Sequence, residues 1–288
     1  MRRGIRFWAL LLALLFVWAP ALAEYRFSED VDGIDLAADS VFMLEVYSAR
    51  REKIAVGSGF VAFDASLLVT NYHVIQDAAY VVAVSENNKS YPVYRVCALD
   101  EVKDLAILQF EQKPGVSPLP LNARDPLKRA QPVVVISSPA GLMNTVSLGN
   151  ISAFYNRENK HWIQFTAPIS SGSSGGALLN DRGEVIGVVT ATYASAQNVN
   201  MAVRIQDLEA LYKRWDGRTT ARLDSSGTVA VMSSLPVSEQ QDAGVVWITR
   251  SGKKYHSTPT CSHMRSPVEI SLVEAIANGY EPCGKCFK

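Results

Sequence analysis

The sequence predicts an all-β protein that carries a small α+β unit at its carboxyl end. Short apolar runs rich in Val, Ile, Phe and Tyr recur from Val41 onward, separated by clusters of Gly, Pro, Asn, Asp and Ser. Many short strands at this spacing are typical of a β-barrel or β-sandwich. Helical periodicity is weak before 206–215. The composition changes after Asp216, and a compact segment from Val245 holds three of the four cysteines.

The composition excludes several classes of protein. The 288 residues are 48% hydrophobic and 19% charged, which is a globular composition and not a disordered one. Basic and acidic residues balance at 28 each, so nucleic acid is not expected as a main partner. Four cysteines are too few for a disulfide scaffold of this size, so the core must come from apolar burial.

Residues 1–23 are predicted to be a secretory signal peptide. Three arginines lie within 1–6, an apolar run covers 7–18, and Ala-Leu-Ala at 21–23 supplies a small-x-small cleavage site. An uncleaved membrane anchor is the alternative, but the run is shorter than the ~20 residues that span a bilayer. We therefore expect an exported protein, periplasmic or secreted, with no stable membrane span once the signal is removed.

Three further segments follow. Residues 34–215 form the strand-rich domain, and 110–127, with four prolines, divide its strands into two halves. Residues 216–244 are small and polar, with one strand candidate at 228–232, and are predicted to be a flexible linker. Residues 245–288 form the small unit.

One amphipathic segment, 206–215, is predicted to be a helix that closes the large domain. Asp207 is placed to cap its amino end. Leu208 and Leu211 are spaced to face the core.

A glycine-rich turn at 172–176, Gly-Ser-Ser-Gly-Gly, is placed between two strand-like runs. A serine hydroxyl becomes a nucleophile only with a base to take its proton and with N–H donors for the developing oxyanion. Glycines let such a turn bend sharply and approach a substrate. The turn alone also fits a plain Gly/Ser loop, so the rest of the chain must decide between the two.

A histidine and an aspartate complete a catalytic set. His73 directly follows an apolar strand, and Asp104 begins another strand. The order His73, Asp104, Ser174 is one of the known orders of a Ser-His-Asp triad. His161 is instead expected to be a surface or packing residue, and Cys97 a buried apolar side chain.

These motifs, taken in order, resemble the trypsin-like serine proteases of the HtrA/Deg type over about 34–211. The segments that carry the resemblance are GSGFV, LLVTNYHVI, DLAIL, TVSLGNISAF, IQFTAPISSGSSGGALLN and GEVIGV. The resemblance implies two packed six-stranded β-barrels with the active site between them. It makes His73 the general base, Asp104 its orienting carboxylate and Ser174 the nucleophile, and it gives the oxyanion N–H groups to Gly172 and Ser174.

The chain departs from that family pattern in three places. Ser173 replaces the usual Asn before the nucleophile, which leaves the backbone donors in place. The turn at 138–141 reads Ser-Pro-Ala-Gly, which differs from the family's glycine-rich turn. The family's PDZ domains are absent from this sequence, so their mode of regulation is not carried over.

The resemblance also implies the walls of the first specificity pocket. They are Ile169, Ser170, Ser171, Thr190, Ala191 and Thr192. None of them carries a carboxylate to pair with a substrate Lys or Arg, so a small or medium aliphatic residue is the expected preference.

The small carboxyl-terminal unit has the donor set of a metal site. A unit of this size buries too little apolar surface to fold without a disulfide or a bound metal. A Cys-x-x-Cys pair at 283–286, together with one further cysteine and one histidine, gives four N and S donors, which suits tetrahedral structural zinc. The pattern resembles the Ada-like zinc-binding module, and this resemblance implies His256, Cys261, Cys283 and Cys286 as the ligands. A helix is predicted over 271–278, where Ser271 and Glu274 form a capping box and Gly279 follows.

A disulfide is the alternative for these cysteines, because exported thiols tend to oxidise. Cys261 would then pair with Cys283 or Cys286. His263 is a rival metal ligand that fits the family pattern less well.

The predicted function is an exported serine endopeptidase that acts through an acyl-enzyme on protein or peptide substrates, with no cofactor for catalysis. Unfolded extracytoplasmic proteins are the substrates that the resemblance implies, and a homo-oligomer is the assembly that it implies. The alternative is a protease fold that is inactive or latent and serves as a binding or chaperone-like protein.

Overall fold

The structure is a computed structural model of the whole chain. It describes residues 26–157, 159–192, 198–218, 220–223, 230–232, 245–249, 252–261, 264, 266–271, 275 and 278–286. The predicted signal peptide lies outside the described residues. Among the helices of the described part, none combines the length and apolar character needed to cross a bilayer.

Six antiparallel strands form the first barrel. They are β1 (Val41–Tyr47), β2 (Lys53–Val61), β3 (Leu67–Thr70), β4 (Tyr80–Val84), β5 (Ser90–Asp100) and β6 (Leu105–Phe110). They pair in the order β5-β4-β1-β2-β3-β6, and β6 pairs back to β5, which closes the ring. Apolar side chains such as Phe42, Leu68 and Leu108 fill its interior.

The second half of the chain forms a closed barrel of the same strand number. Its strands are β7 (Pro132–Ser137), β8 (Thr145–Arg157), β9 (Lys160–Phe165), β10 (Ala177–Leu179), β11 (Val185–Thr192) and β12 (Asn200–Arg204). They close in the order β10-β11-β12-β9-β8-β7. Ile151, Ile163 and Phe165 are among its fully buried residues. The predicted all-β fold of two six-stranded barrels is confirmed.

A third apolar cluster lies between the barrels and fixes them against each other. Phe60 and Ile107 contribute to it from the first barrel, and Ile136 and Val188 from the second. Because apolar burial is the main source of fold stability, this shared cluster makes the two barrels one packed body.

In the described part of the chain, three α-helices accompany the barrels: α1 (Val31–Ala38), α2 (Tyr72–Ile75) and α3 (Ile205–Arg214). Leu208 and Leu211 of α3 are buried as predicted. The predicted cap is wrong, because α3 begins at Ile205 and Arg204 is its N-cap. Asp207 instead lies inside the first turn of the helix, where its carboxylate binds residues of other elements.

The range 216–244, predicted to be a flexible linker, contains two short strands. They are β13 (Thr220–Arg222) and β14 (Ala230–Met232). β13 pairs with β5 and with β14, so both extend the sheet of the first barrel. Ala221 is buried against that barrel's core, which gives the pairing an apolar contact.

The carboxyl-terminal unit is built from two small sheets. β15 (Val245–Ile248) pairs antiparallel with β17 (Val268–Ser271), and β16 (Lys254–Tyr255) pairs parallel with β18 (Glu281–Pro282). Its small core holds Val246, Tyr255 and Ala275, and Tyr80 of the first barrel packs against it. Most of the predicted helix at 271–278 lies outside the described residues.

Candidate active site

His73, the predicted general base, lies in α2, which begins two residues after the last residue of β3 of the first barrel. Strand β3 is fully buried, and Asn71, the residue before α2, is also buried. The Asn71 side-chain amide donates to the Asp104 backbone carbonyl at 2.9 Å and to the Thr190 hydroxyl at 3.0 Å. Asn71 therefore ties the histidine-bearing segment to Asp104 and to β11 of the second barrel.

Asp104 accepts two hydrogen bonds from His73. The His73 backbone N–H donates to Oδ1 at 2.9 Å, and ring Nδ1 lies 2.8 Å from Oδ2. Asp104 is largely buried, whereas the His73 side chain is 43% exposed. A carboxylate on Nδ1 holds the imidazole in the tautomer whose Nε2 can accept a proton. The structure thus brings together His73 and Asp104, the predicted base and its predicted orienting carboxylate.

The Ser174 hydroxyl faces a different acceptor. Its Oγ donates to the Thr190 carbonyl at 3.0 Å. The hydrogen bonds of the described residues include none between Ser174 and His73. Since Oγ is attached by one rotatable bond, a change of rotamer is the movement that would direct it to another acceptor.

The peptide units before Ser174 have a fixed orientation. The Ser171 carbonyl accepts from the Ala140 N–H at 2.7 Å, and the Ser173 carbonyl accepts from the Gly176 N–H at 3.0 Å. In a trans peptide the N–H points opposite to the C=O. The N–H groups of Gly172 and Ser174 therefore face away from these contacts, and neither has a hydrogen-bond acceptor within the described part of the chain.

Ser58 of β2 contacts the glycine-rich turn at several atoms. Its hydroxyl donates to the Gly172 carbonyl at 2.7 Å and accepts from the Ser138 N–H at 2.8 Å. Its N–H donates to the Ser174 carbonyl at 2.7 Å. Ser58 is fully buried, so these contacts operate without competition from water. They connect the first barrel to the turn that carries Ser174.

Two glycines in the turn cannot be replaced without disturbance. Gly172 has a φ of +94°, and an added Cβ would lie 2.6 Å from the Ser138 carbonyl oxygen. Gly175 has a φ of +88°, and an added Cβ would lie 2.0 Å from the Ser58 carbonyl oxygen. Side-chain-bearing residues rarely adopt such φ values. The glycines are thus required both by the close approach of neighbouring carbonyl oxygens and by the positive φ angles of the turn.

The predicted pocket residues have different surroundings. Ile169 is half-buried against the core of the second barrel, and Ser170 and Ser171 are exposed. Thr190 is buried, and its hydroxyl binds Asn71. Ala191 and Thr192 continue β11 and pair with β12 through their backbone.

The sequence did not single out Asn71 or Ser58. Both belong to the motif segments LLVTNYHVI and GSGFV. The side-chain hydrogen-bond partners of each lie more than 30 residues away, so no local spacing could reveal these contacts. A polar residue inside a strongly apolar strand run was the only available signal.

The four predicted metal ligands lie together in the carboxyl-terminal unit. One ligand atom from each of His256, Cys261, Cys283 and Cys286 can be chosen so that all lie within 4.8 Å of one another. The Cys261 and Cys283 sulfurs are 3.9 Å apart, and Cys286 Sγ lies 3.8 Å from His256 Nδ1. Two thiolates on a tetrahedral zinc with bonds of about 2.3 Å would be ~3.8 Å apart. The donor set therefore fits zinc in both chemistry and spacing.

The electrostatic environment favours the metal-binding forms of these groups. The Lys285 backbone N–H, with further contacts from Cys286 and Cys261, lowers the pKa of the Cys283 thiol to about 7. Burial, together with the nearby Lys254 charge, lowers the pKa of His256. Thiolate and neutral imidazole are the forms that bind a metal. All four cysteines of the chain are free thiols in the structure.

Cys97 and His161 lie outside both sites. Cys97 is buried as predicted, and burial raises the pKa of its thiol to about 12. His161 is held by Asp207, with Nδ1 2.9 Å from Oδ1. The prediction of a surface or packing residue did not include this carboxylate partner.

Comparison with known proteins shows what the large domain is similar to. Residues 57–188 match the family model described as a trypsin-like peptidase domain. This part of the chain is similar to trypsin-like peptidase domains, and its two barrels have the trypsin-like fold. A solved structure, the serine endoprotease from Yersinia pestis, is 28% identical with a TM-score of 0.58, and the match covers 65% of this chain and 68% of that chain.

Two curated relatives of the trypsin-like peptidase domain show how far the similarity extends. The mitochondrial serine protease HTRA2 of Bos taurus is 34% identical over 186 residues, which are 60% of this chain and 40% of that protein. The anti-sigma-I factor RsgI9 of Acetivibrio thermocellus is 34% identical over 170 residues, which are 59% of this chain and 24% of that protein. The chain thus spans less than half the length of these relatives.

The comparisons support the predicted enzyme class, a serine protease of trypsin-like fold with HtrA-type homologues. The family model ends at residue 188, and the resemblance of residues 245–288 to the Ada-like module stays a prediction.

Proposed function

We propose that the protein is a serine endopeptidase with Ser174 as nucleophile, His73 as general base and Asp104 as its orienting carboxylate. The observation that carries the proposal is the pair of unpartnered N–H groups, on Gly172 and Ser174, in a turn that Ser58 holds to the first barrel. Preorganised donors for a developing oxyanion are usually the largest single contribution to acyl-transfer catalysis. The adjacent His73–Asp104 pair supplies the base.

The chemistry of such a site has two stages. His73 Nε2 takes the Ser174 proton while Oγ attacks the substrate carbonyl, and the resulting oxyanion accepts from the Gly172 and Ser174 N–H groups. The peptide C–N bond then breaks, and His73 gives its proton to the leaving amine. Water, deprotonated by His73, hydrolyses the acyl-enzyme and restores the Ser174 hydroxyl.

Substrate and location follow from the resemblance and the leader segment. We propose unfolded extracytoplasmic proteins as substrates, export through residues 1–23, and a periplasmic or secreted location. The proposed first pocket contains no carboxylate, and its Ser170 and Ser171 side chains are exposed. A small or medium aliphatic residue before the cleaved bond fits these walls.

Matched peptides that differ only in the residue before the cleaved bond test this proposal. We expect kcat/KM after Val or Ala to exceed that after Arg by at least roughly tenfold, because a pocket without a negative charge leaves the guanidinium unpaired. Preferred cleavage after Arg would overturn the pocket assignment alone. Failure to cleave any of the peptides, or unfolded casein, would overturn the endopeptidase proposal.

A latent protease that acts as a binding protein is the second candidate, and one observation favours it. The Ser174 hydroxyl donates to the Thr190 carbonyl and not to His73. A site resting in this rotamer would be inactive until a ligand changed it. The oriented N–H groups of the turn favour the active enzyme.

We further propose that residues 245–288 form a module held together by structural zinc. The cluster of His256, Cys261, Cys283 and Cys286 supplies the four ligands. Zinc would replace the apolar core that so short a segment lacks. A closed site with four protein ligands leaves no open position for substrate, so the metal has no part in the proposed catalysis.

Metal analysis of the purified full chain tests the module. We expect one zinc per chain, its loss in Cys283→Ser, and its retention in the control variant Cys97→Ser, whose sulfur lies outside the cluster. A chelator should make residues 245–288 sensitive to protease while the two barrels stay folded. A chain without zinc in which two thiols resist titration under denaturing conditions would show a disulfide instead.

A further inference from the structure

A second histidine–aspartate pair lies outside the candidate active site and is connected to it through Lys103. Asp207 of α3 accepts from the His161 backbone N–H at 2.9 Å through Oδ2, and His161 Nδ1 lies 2.9 Å from Oδ1. The same Oδ1 accepts from Lys103 Nζ at 3.0 Å. Asp207 is 6% exposed, so its charge is held by these partners and not by water.

These three residues come from three separate elements. His161 belongs to β9 of the second barrel, Asp207 to α3, and Lys103 to the turn between β5 and β6 of the first barrel. Burial by itself would raise the pKa of the Asp207 carboxyl, but hydrogen bonds from His161 and Lys103 outweigh it and keep the pKa below its usual value. The Asp207 carboxylate is thus held in its charged form, and its hydrogen bonds join residues of the two barrels.

Lys103 directly precedes Asp104, and the backbone there is under constraint. Asp104 has a φ of +57°, in the left-handed region that residues with a side chain rarely occupy. Its N–H closes the turn by donating to the Glu101 carbonyl at 3.2 Å. Such a conformation persists only where the surroundings enforce it.

Two ion pairs join α3 to this turn. Lys103 is held by Asp207 at one side, and Asp100 accepts from Arg214 at 2.6 Å at the other. Asp100 also accepts from the Lys103 backbone N–H at 2.8 Å, so the two attachments meet inside the turn. Helix α3 therefore contacts the turn whose backbone carries the Asp104 side chain.

We propose that Asp207 is a positioning residue for the active site, which acts through Lys103 to hold Asp104 against His73. This inference rests on the proposed peptidase function and adds a residue that touches neither substrate nor the reacting atoms. Catalytic groups lose effectiveness steeply with small displacements, because the reaction requires near-contact geometry.

The test compares Asp207→Asn with a control on the same helix, Glu209→Gln, which removes the exposed pair between Glu209 and Lys213. We expect Asp207→Asn to lower kcat by roughly 10- to 100-fold with KM unchanged. Glu209→Gln should change neither quantity.

A double-mutant cycle shows whether the effect passes through Lys103. In a Lys103→Met background, Asp207→Asn should add little, since the coupled pair is already broken. Lys103→Gln probes the same pair from the turn if Asp207→Asn does not fold, as judged by circular dichroism. A folded variant with unchanged kcat, or a loss of kcat equal to the loss of folded protein, would overturn the inference.

The downfield proton resonance of His73 Nδ1 separates this inference from the proposed function, because it requires no turnover. We expect the resonance in the wild-type chain, and a shift or loss in Asp207→Asn. An inactive wild type whose resonance still responds would overturn the peptidase proposal and support the positioning role. An active wild type whose resonance is unchanged in Asp207→Asn would support the peptidase proposal and overturn the positioning role.

Discussion

Replacing Ser174 with Ala is expected to reduce kcat on an unfolded protein substrate by about 10⁶-fold. The variant keeps His73, Asp104 and the oxyanion N–H groups but has no oxygen to form the acyl-enzyme. Only the hydrogen bond from Ser174 to the Thr190 carbonyl is lost, so the fold should be unaffected. The residual rate would come from substrate binding and the oxyanion donors alone.

Ser66→Ala is the control for this variant, because Ser66 lies in the turn between β2 and β3 and its hydroxyl binds only the neighbouring Asp64 among the described contacts. It should retain wild-type turnover in the assay that Ser174→Ala fails. Retained casein cleavage by purified Ser174→Ala would show that the nucleophile lies elsewhere.

Replacing Asp104 with Asn is expected to lower kcat by about 10⁴-fold while leaving the protein folded. Asp104 accepts from both the backbone N–H and the ring Nδ1 of His73. An Asn has one acceptor and one donor group, so it can satisfy the backbone N–H only by turning its own NH₂ toward Nδ1. The ring proton then moves to Nε2, which can no longer take a proton from Ser174.

Asp64→Asn is the matched substitution, since Asp64 is an exposed aspartate that pairs with Lys113 on the surface. It should leave kcat within the error of the assay. An Asp104→Asn variant with near wild-type kcat would mean that another group orients His73, and the described contacts offer none.

The fold could be predicted, and a triad proposed, because their signals are local or ordered along the chain. Strand runs bounded by turn residues predicted an all-β barrel or sandwich, and the family resemblance implied two barrels. Motif order made His73, Asp104 and Ser174 the candidate triad, which stays a prediction. The apolar face of α3 could also be predicted from the spacing of Leu208 and Leu211.

Contacts between distant polar residues could not be predicted in this way. Asp207 near a helix start has the local pattern of a cap, yet its partners are His161 and Lys103 on other elements. The strand β13 has a polar, linker-like sequence and is stabilised by an edge of β5 that only the folded barrel provides. In both cases tertiary position decides which of several local options a segment adopts.

Labelling of the folded full chain with a fluorophosphonate tests the central claim most directly. The reagent modifies a serine whose base and oxyanion donors are assembled together, and it requires no knowledge of the natural substrate. We predict prompt incorporation of one label per chain, located at Ser174 by mass spectrometry and absent from Ser174→Ala. A folded chain that takes up no label, or takes it up at another residue, would contradict the account.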